Sequence, residues 1–348
     1  MAKLSIFNQT AVQQLGQISS LFDPWSVRTA ATLRLPDLVA AGADTTSELA
    51  TRSDTDPDAL GRLMRHLTLL GLFRTTAEGR WELAELGELL RDSHPMSMRK
   101  ILDQTDHFVR KMDRSAYGLL EAVRTGGAVW EKLHGLSFWD DMIADPELGR
   151  CFDAVNANHS AMFGPAITRC YDWSTVQHIV YVGGGTGRAL AIILTAHPHL
   201  RATLVDLPGP LAAAAAVLEE ATVADRCVLV AQSFFDALPS SGDVYLLANT
   251  VHDWNDEDSA KILRRCAEAA GPGGRVLVAE RVATDEANET ERAFVSRIDL
   301  LILLLLGGQV RSEEEFRWLG ATAGLRHTAT RALADCPWLS LMEYVVED

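Results

Sequence analysis

The 348-residue chain carries 47 acidic and 32 basic side chains, a formal net charge of -15, and 47% of its residues are hydrophobic. The acidity excludes a nucleic-acid partner, because a phosphate-holding surface needs a surplus of Lys and Arg, and the length suits two domains with an apolar core in each. Cys151, Cys170, Cys227, Cys266 and Cys336 show no paired spacing, which points away from a disulfide framework or a zinc site and towards a reducing cytoplasm.

The N-terminal stretch MAKLSIFNQTAVQQLG lacks the long apolar centre of a secretory signal. The segment TTSELATRSDTDPDALGRLMRHLTLLGLF predicts two short amphipathic helices. Asp56 and Pro57 open the second as N-cap and first-turn proline, and Leu60, Leu63, Leu67 and Leu70 share one face. GLFRTTAEGRWELAELG then alternates around Glu78 and Gly79 as a β-hairpin, completing a winged-helix pattern. DNA contact is not expected of it: Asp44, Glu48, Asp54, Asp56, Asp58, Glu78, Glu82, Glu85, Glu88 and Asp92 outnumber the arginines.

Residues of about 93 to 165 hold further helices rich in Met and aromatic side chains, which read as core or as pocket wall. After Trp173 the period changes. VQHIVYVGGG, RATLVDLP, RCVLVAQ, DVYLLANTVH and GRVLVAERV are short β-branched runs separated by helical stretches such as 188–196 and 256–270. That alternation predicts a doubly wound α/β sheet with parallel strands at its centre, and a ligand beyond their carboxyl ends near the first strand-to-helix turn. Gly183, Gly185 and Gly187 fall at alternate positions in that turn, where backbone can bend tightly and approach a ligand. Asp206 ends the next strand and can accept both ribose hydroxyls of a nucleoside; capping the helix after Leu207 and Pro208 is the alternative. The run from Leu300 to Leu306 reads as a buried helix beside a hydrophobic ligand, and is far shorter than the roughly 20 residues a membrane span needs.

The winged-helix region, VGGGTG, VDLP, VHDWNDEDSAKILRRC, GGRVLVAE, DLLILLLLGG and RSEEEFRWLGATAGL occur in an order that resembles the S-adenosylmethionine-dependent small-molecule O-methyltransferases of plant phenolic and bacterial polyketide metabolism. The likeness spans nearly the whole chain. It implies a helical, winged-helix dimerisation domain over residues 1–100, a helical substrate-pocket region over 101–165 and a Rossmann-like class I methyltransferase domain over 166–348. A homodimer, a hydrophobic aromatic or polyketide-like substrate, S-adenosylmethionine and no metal are implied with it. Gly183, Gly185, Gly187, Asp206, Leu207, Phe234 and Asn249 match cofactor contacts, as do the positions of Tyr181, Ser233 and Ala248. The family histidine that deprotonates the acceptor hydroxyl matches His252, with Asp253 beside it and Glu280 as the acid that orients it; imidazole titrates near neutrality, which suits the task. A histidine that only caps its loop, and a glutamate paired with Arg281 at the surface, are the alternatives. Phe138, Trp139, Met162, Asn249, Asp299 and Leu303 match regions that wall the acceptor pocket.

Four positions depart from the family pattern. Tyr181 replaces the acid before the glycine loop, Gln232-Ser233-Phe234 replaces Gly-Asp-Phe, Ala248 replaces a lysine, and Val310 replaces a glutamate near the histidine. Each lost charge-assisted hydrogen bond costs roughly 1.5 to 3 kcal/mol, so cofactor binding is expected to be weakened or lost. Three functions follow: an O-methyltransferase with a loosened cofactor site; a methyltransferase-like enzyme recruited to hydroxylation, decarboxylation or cyclisation; and a non-catalytic dimeric scaffold, opposed by the retained His252-Asp253-Trp254.

Overall fold

The computed structural model describes residues 9–240, 242–284, 287–334 and 336–347; residues 1–8, half of the stretch read above for a secretory signal, lie outside them. The described residues divide into two compact units, one within residues 1–110 and the other within residues 111–348.

In the first unit, local chemistry sets each boundary. Thr45 and Glu48 cap the helix Thr46–Ser53 reciprocally, each side chain accepting the other's backbone N–H. The Asp56 carboxylate accepts the Ala59 N–H at 2.8 Å to open the helix Pro57–Leu69. That helix turns Leu60, Met64 and Leu67 inward against Leu49, Phe73 and Trp81. β1 (Phe73–Thr75) and β2 (Trp81–Leu83) pair antiparallel as the wing.

The second unit is built on a sheet. β3 (His178–Val182), β4 (Arg201–Asp206), β5 (Cys227–Ala231), β6 (Val244–Ala248) and β7 (Arg275–Glu280) run parallel. β8 (Val282–Ala283) and β9 (Arg311–Ser312) form a small parallel pair beside it, and β10 (Leu325–Leu333) and β11 (Cys336–Val346) add an antiparallel edge. The order is β10-β11-β7-β6-β3-β4-β5. Successive side chains go to opposite faces: Ile179, Tyr181, Leu246 and Ala248 enter one core, Val180, Val182, Tyr245 and Leu247 the other. Apolar residues at every position of the central strands are therefore required, because helices cover both faces. Chain order reverses at β3, which has β4 on one side and β6 on the other, so a crevice opens at the carboxyl ends of these strands.

The helix Pro146–Cys170 runs uninterrupted through residue 165 and packs Phe163, Ala166 and Ile167 into the first core. The helix Glu289–Leu306 differs from the all-round burial expected of its leucine run: Leu304 and Leu305 are buried, but Leu300 is 40% exposed.

Candidate active site

The crevice holds a cavity of about 350 Å³, lined in part by Gly183 to Thr186, Asp206, Phe234, His252 and Arg281. Gly183 and Gly185 adopt left-handed backbone, with φ of +67° and +57°, so a β-carbon at either would be strained. At Gly185 a β-carbon would project into open space, as a ligand-facing backbone requires. Gly187, also left-handed, caps the helix Arg188–Ala196 rather than lining the cavity. The Asp206 carboxylate accepts the N–H of Gly185 and of Leu207, each at 2.7 Å. Burial nonetheless raises its pKa against these two bonds. Asp206 also lines the cavity, an arrangement that fits the vicinal hydroxyls of a ribose.

Tyr181 is 2% exposed and reaches the same cavity. Its ring lies so close to residue 184 that a β-carbon there would sit 2.8 Å from Tyr181 Cδ1 and 2.3 Å from Leu204 Cδ1. Gly184 is thus the glycine that makes room for the tyrosine. Burial holds the phenol far above its ordinary pKa, and Asp206 and Glu280 add to the effect, so the group that replaces the family's acid is neutral. Ser233 Oγ accepts the Phe235 N–H at 3.2 Å. Gln232 turns its amide to the Ala237 carbonyl at 2.9 Å, and Ala248 contributes only a methyl group to the wall. The nucleoside half of S-adenosylmethionine fits the glycine backbone and Asp206, whereas the methionine half meets no carboxylate at residue 181.

The His252 turn is held from several sides. Glu280, fully buried at the end of β7, accepts the N–H groups of Thr250 at 2.8 Å and Val251 at 2.7 Å through Oε1. Its Oε2 lies 2.5 Å from His252 Nδ1, so Glu280 is not a surface partner of Arg281. On the far side of the ring, Asp253 Oδ1 stands 3.3 Å from Nε2. Burial alone would lower the His252 pKa, but Glu280 and Asp253 together raise it to about 9, and Glu280 is correspondingly lowered. Arg311, fully buried on β9, donates to the carbonyls of Val251 and Trp254 and to Asp256, and Ser259 Oγ donates to the same two carbonyls. Neither Arg311 nor Ser259 stands out in the sequence.

The acceptor wall is partly as expected. Phe138, Trp139 and Asn249 line the cavity, and Trp139 lies parallel to Trp254 with centroids 6.1 Å apart. Met162, Asp299 and Leu303 stand elsewhere. Asp299 accepts the Val310 N–H at 2.7 Å, Leu303 packs against the Ala122, Val129 and Leu304 cluster, and Met162 is absent from the cavity wall. In place of Met162 the helix Pro146–Cys170 presents Asp153, Asn156, His159, Ser160 and Phe163. Their spacing of three and four residues is a helical face, a signal the sequence carries. Burial, with Asp206 nearby, pushes Asp153 up to about 6; burial, with Arg281 and His252 nearby, pulls His159 down to about 4.

Residues 117–326 match the O-methyltransferase domain family and residues 17–93 the O-methyltransferase dimerisation domain. The chain is 41% identical to the 2,7-dihydroxy-5-methyl-1-naphthoate 7-O-methyltransferase of Streptomyces carzinostaticus over 94% of this chain and 96% of that one. It is 42% identical to the aclacinomycin 10-hydroxylase of Streptomyces purpurascens over 91% and 85%. An O-methyltransferase of neocarzinostatin biosynthesis, solved with S-adenosylmethionine and 2-hydroxy-5-methyl naphthoic acid, superposes with a TM-score of 0.85 at 39% identity, covering 95% of this chain and 98% of that one.

Proposed function

The chain belongs to the O-methyltransferase family, and on that premise we propose that it methylates a hydroxyl of an apolar aromatic, polyketide-like small molecule in natural-product biosynthesis, with His252 as general base. S-adenosylmethionine, when bound, supplies an electrophilic methyl group on a cationic sulfur. The observation that carries the reading is the buried Glu280–His252 pair at the carboxyl edge of the sheet, with His252 in the wall of the cavity. Glu280 fixes the tautomer and stabilises the imidazolium formed when Nε2 takes the acceptor's proton. General-base help of this kind contributes roughly 10²- to 10⁴-fold. Phe138, Trp139, Trp254 and Leu305 hold an aromatic scaffold by apolar contact.

The cofactor contacts assigned to this reading are Gly183, Gly185, Asp206, Leu207, Ser233, Phe234, Ala248 and Asn249, with Tyr181 at the methionine end. Binding is weakened there rather than lost, because the nucleoside cradle is intact. The homodimer forms through the dimerisation domain, in which Ile18, Leu21 and Phe22, with Val12 and Leu15 just before it, leave apolar side chains in solvent. A cytoplasmic location completes the reading; no helix among the described residues is long and apolar enough to cross a membrane.

A second reading, hydroxylation, decarboxylation or cyclisation without methyl transfer, is favoured by Tyr181 and Ser233 at the cofactor end and by the likeness to a 10-hydroxylase. Incubation of the protein with S-adenosylmethionine and hydroxynaphthoates, followed by mass spectrometry, separates the two. A methyl ether is the expected product; an oxygenated or decarboxylated product with S-adenosylmethionine unconsumed would favour the second reading.

A further inference from the structure

We propose that Arg281 and Asn249 form a carboxylate-binding subsite in the cavity wall beside His252. Arg281 follows Glu280 directly and is only 8% exposed, yet it lines the cavity. Among the described residues its guanidinium makes one hydrogen bond, from Nη1 to Asn249 Oδ1 at 2.8 Å, and its Nε is buried with no acceptor. No carboxylate of a described residue pairs with it. Glu280 is committed to the His252 ring and to the amides of Thr250 and Val251, and Asp253 faces His252 Nε2.

Glu280 and Asp253 act on this cation through space but make no hydrogen bond to it, and a buried donor left without an acceptor is costly; Asn249, which holds Nη1, does so from left-handed backbone with φ of +51°. An arginine so fixed has guanidinium donors open to a ligand. A planar guanidinium matches a planar carboxylate, and the acids Asp206 and Asp153 elsewhere in the cavity oppose a more highly charged dianion such as phosphate.

One carboxylate chemistry has two sources here. The first is the methionyl carboxylate of the cofactor: residue 248 carries no cation, and the glycine loop packs directly on Thr250, the neighbour of Asn249, with a β-carbon at Gly183 falling 2.9 Å from Thr250 Cγ2. The second is a carboxylate adjacent to the reacting hydroxyl of the acceptor, which Arg281 would hold while that hydroxyl faces His252. The first source rests on the methyl-transfer reading above; the second does not need it.

Calorimetric titration of wild type and Arg281→Gln tests the subsite with two matched pairs of probes. S-adenosylhomocysteine is compared with its decarboxylated analogue, and 2-hydroxy-1-naphthoate with 2-naphthol; 5′-methylthioadenosine, which has no carboxylate, reports that the nucleoside cradle is folded. The wild type is expected to favour at least one carboxylate over its carboxylate-free partner by about 30-fold, and Arg281→Gln to remove that preference while binding 5′-methylthioadenosine unchanged. A loss confined to S-adenosylhomocysteine assigns the subsite to the cofactor, and a loss confined to the hydroxynaphthoate assigns it to the acceptor. A wild type with no preference for either carboxylate, or a variant that retains the preference, overturns the proposal. The wild-type comparison decides even where the variant is unstable. A wild type that binds no adenosine compound removes the methyl-transfer reading instead, and the naphthoate pair still tests the subsite.

Discussion

At one end of the cavity, Glu280 binds two backbone amides and an imidazole, and Arg311 and Ser259 tie the carbonyls of the same turn. At the other end, a neutral, buried tyrosine stands beside a glycine loop whose Gly185 amide is bonded by Asp206. The difference separates two jobs. Burying Glu280 and Arg311 is costly unless their lone pairs and protons are satisfied, and at the His252 turn most of them are. The glycine loop keeps its backbone shape but carries neutral side chains at residues 181, 233 and 248, and on the reading proposed above these bear on affinity and not on the acid–base step.

Substitutions at the two ends should therefore move different observables. The largest effect is expected for His252→Ala: turnover falls at least about a hundredfold while affinity for S-adenosylhomocysteine is kept. Full activity in that variant would remove His252 from the mechanism. Next is Glu280→Gln. In the ligand-free wild type the neighbouring carboxylates hold the His252 proton up to about pH 9, against 6.5 for an unperturbed ring, so kcat/KM should climb with pH through that range. Removing the Glu280 charge should shift this limb towards acid. The sign for stability follows from the same raised value. The pair's contribution is complete below about pH 6.5 and fades as pH rises through about 9, so the wild-type Tm should fall across that window and the variant's, which keeps only Asp253 beside the ring, should fall less. Equal pH profiles for the two proteins would contradict the pairing.

A smaller effect belongs to the cofactor end. Tyr181→Asp should tighten S-adenosylmethionine about tenfold by restoring an acid near the methionine amino group, with kcat nearly unchanged; an unaltered or weaker Kd would show that residue 181 does not face that group. The smallest is a pH effect at Asp153. Its carboxyl, pushed up to about 6 by burial and by Asp206, becomes charged as pH rises through that value, so affinity for the cationic cofactor should improve a few-fold between about pH 5 and 7. Asp153→Asn should flatten this dependence, and an identical slope in the variant would rule the residue out.

Much of this was legible in the sequence because it is periodic or terminal. Strand runs such as HIVYV and RATLVD alternate between two cores, and His252, Glu280 and Asp206 fall at or just beyond strand ends, where a parallel sheet gathers its chemistry. The acceptor wall was less legible. On the helix Pro146–Cys170 the cavity face is set by phase, and Met162 lies off the face formed by Asp153, Asn156, His159 and Phe163. Asp299 carries a carboxylate in a matching region, yet a backbone amide in the following loop claims it. Arg281 and Arg311 belong to no short motif; their partners, Asn249 and Val251, lie 32 and 60 residues away. Only folding brings them together.

Titration with S-adenosylhomocysteine tests the central claim most directly, that an intact catalytic turn faces a cofactor site loosened but still functional. Binding in the micromolar range, tightened by Tyr181→Asp, is the result expected. No heat up to millimolar ligand in either protein would contradict it and leave the His252 turn to serve a reaction that needs no methyl donor.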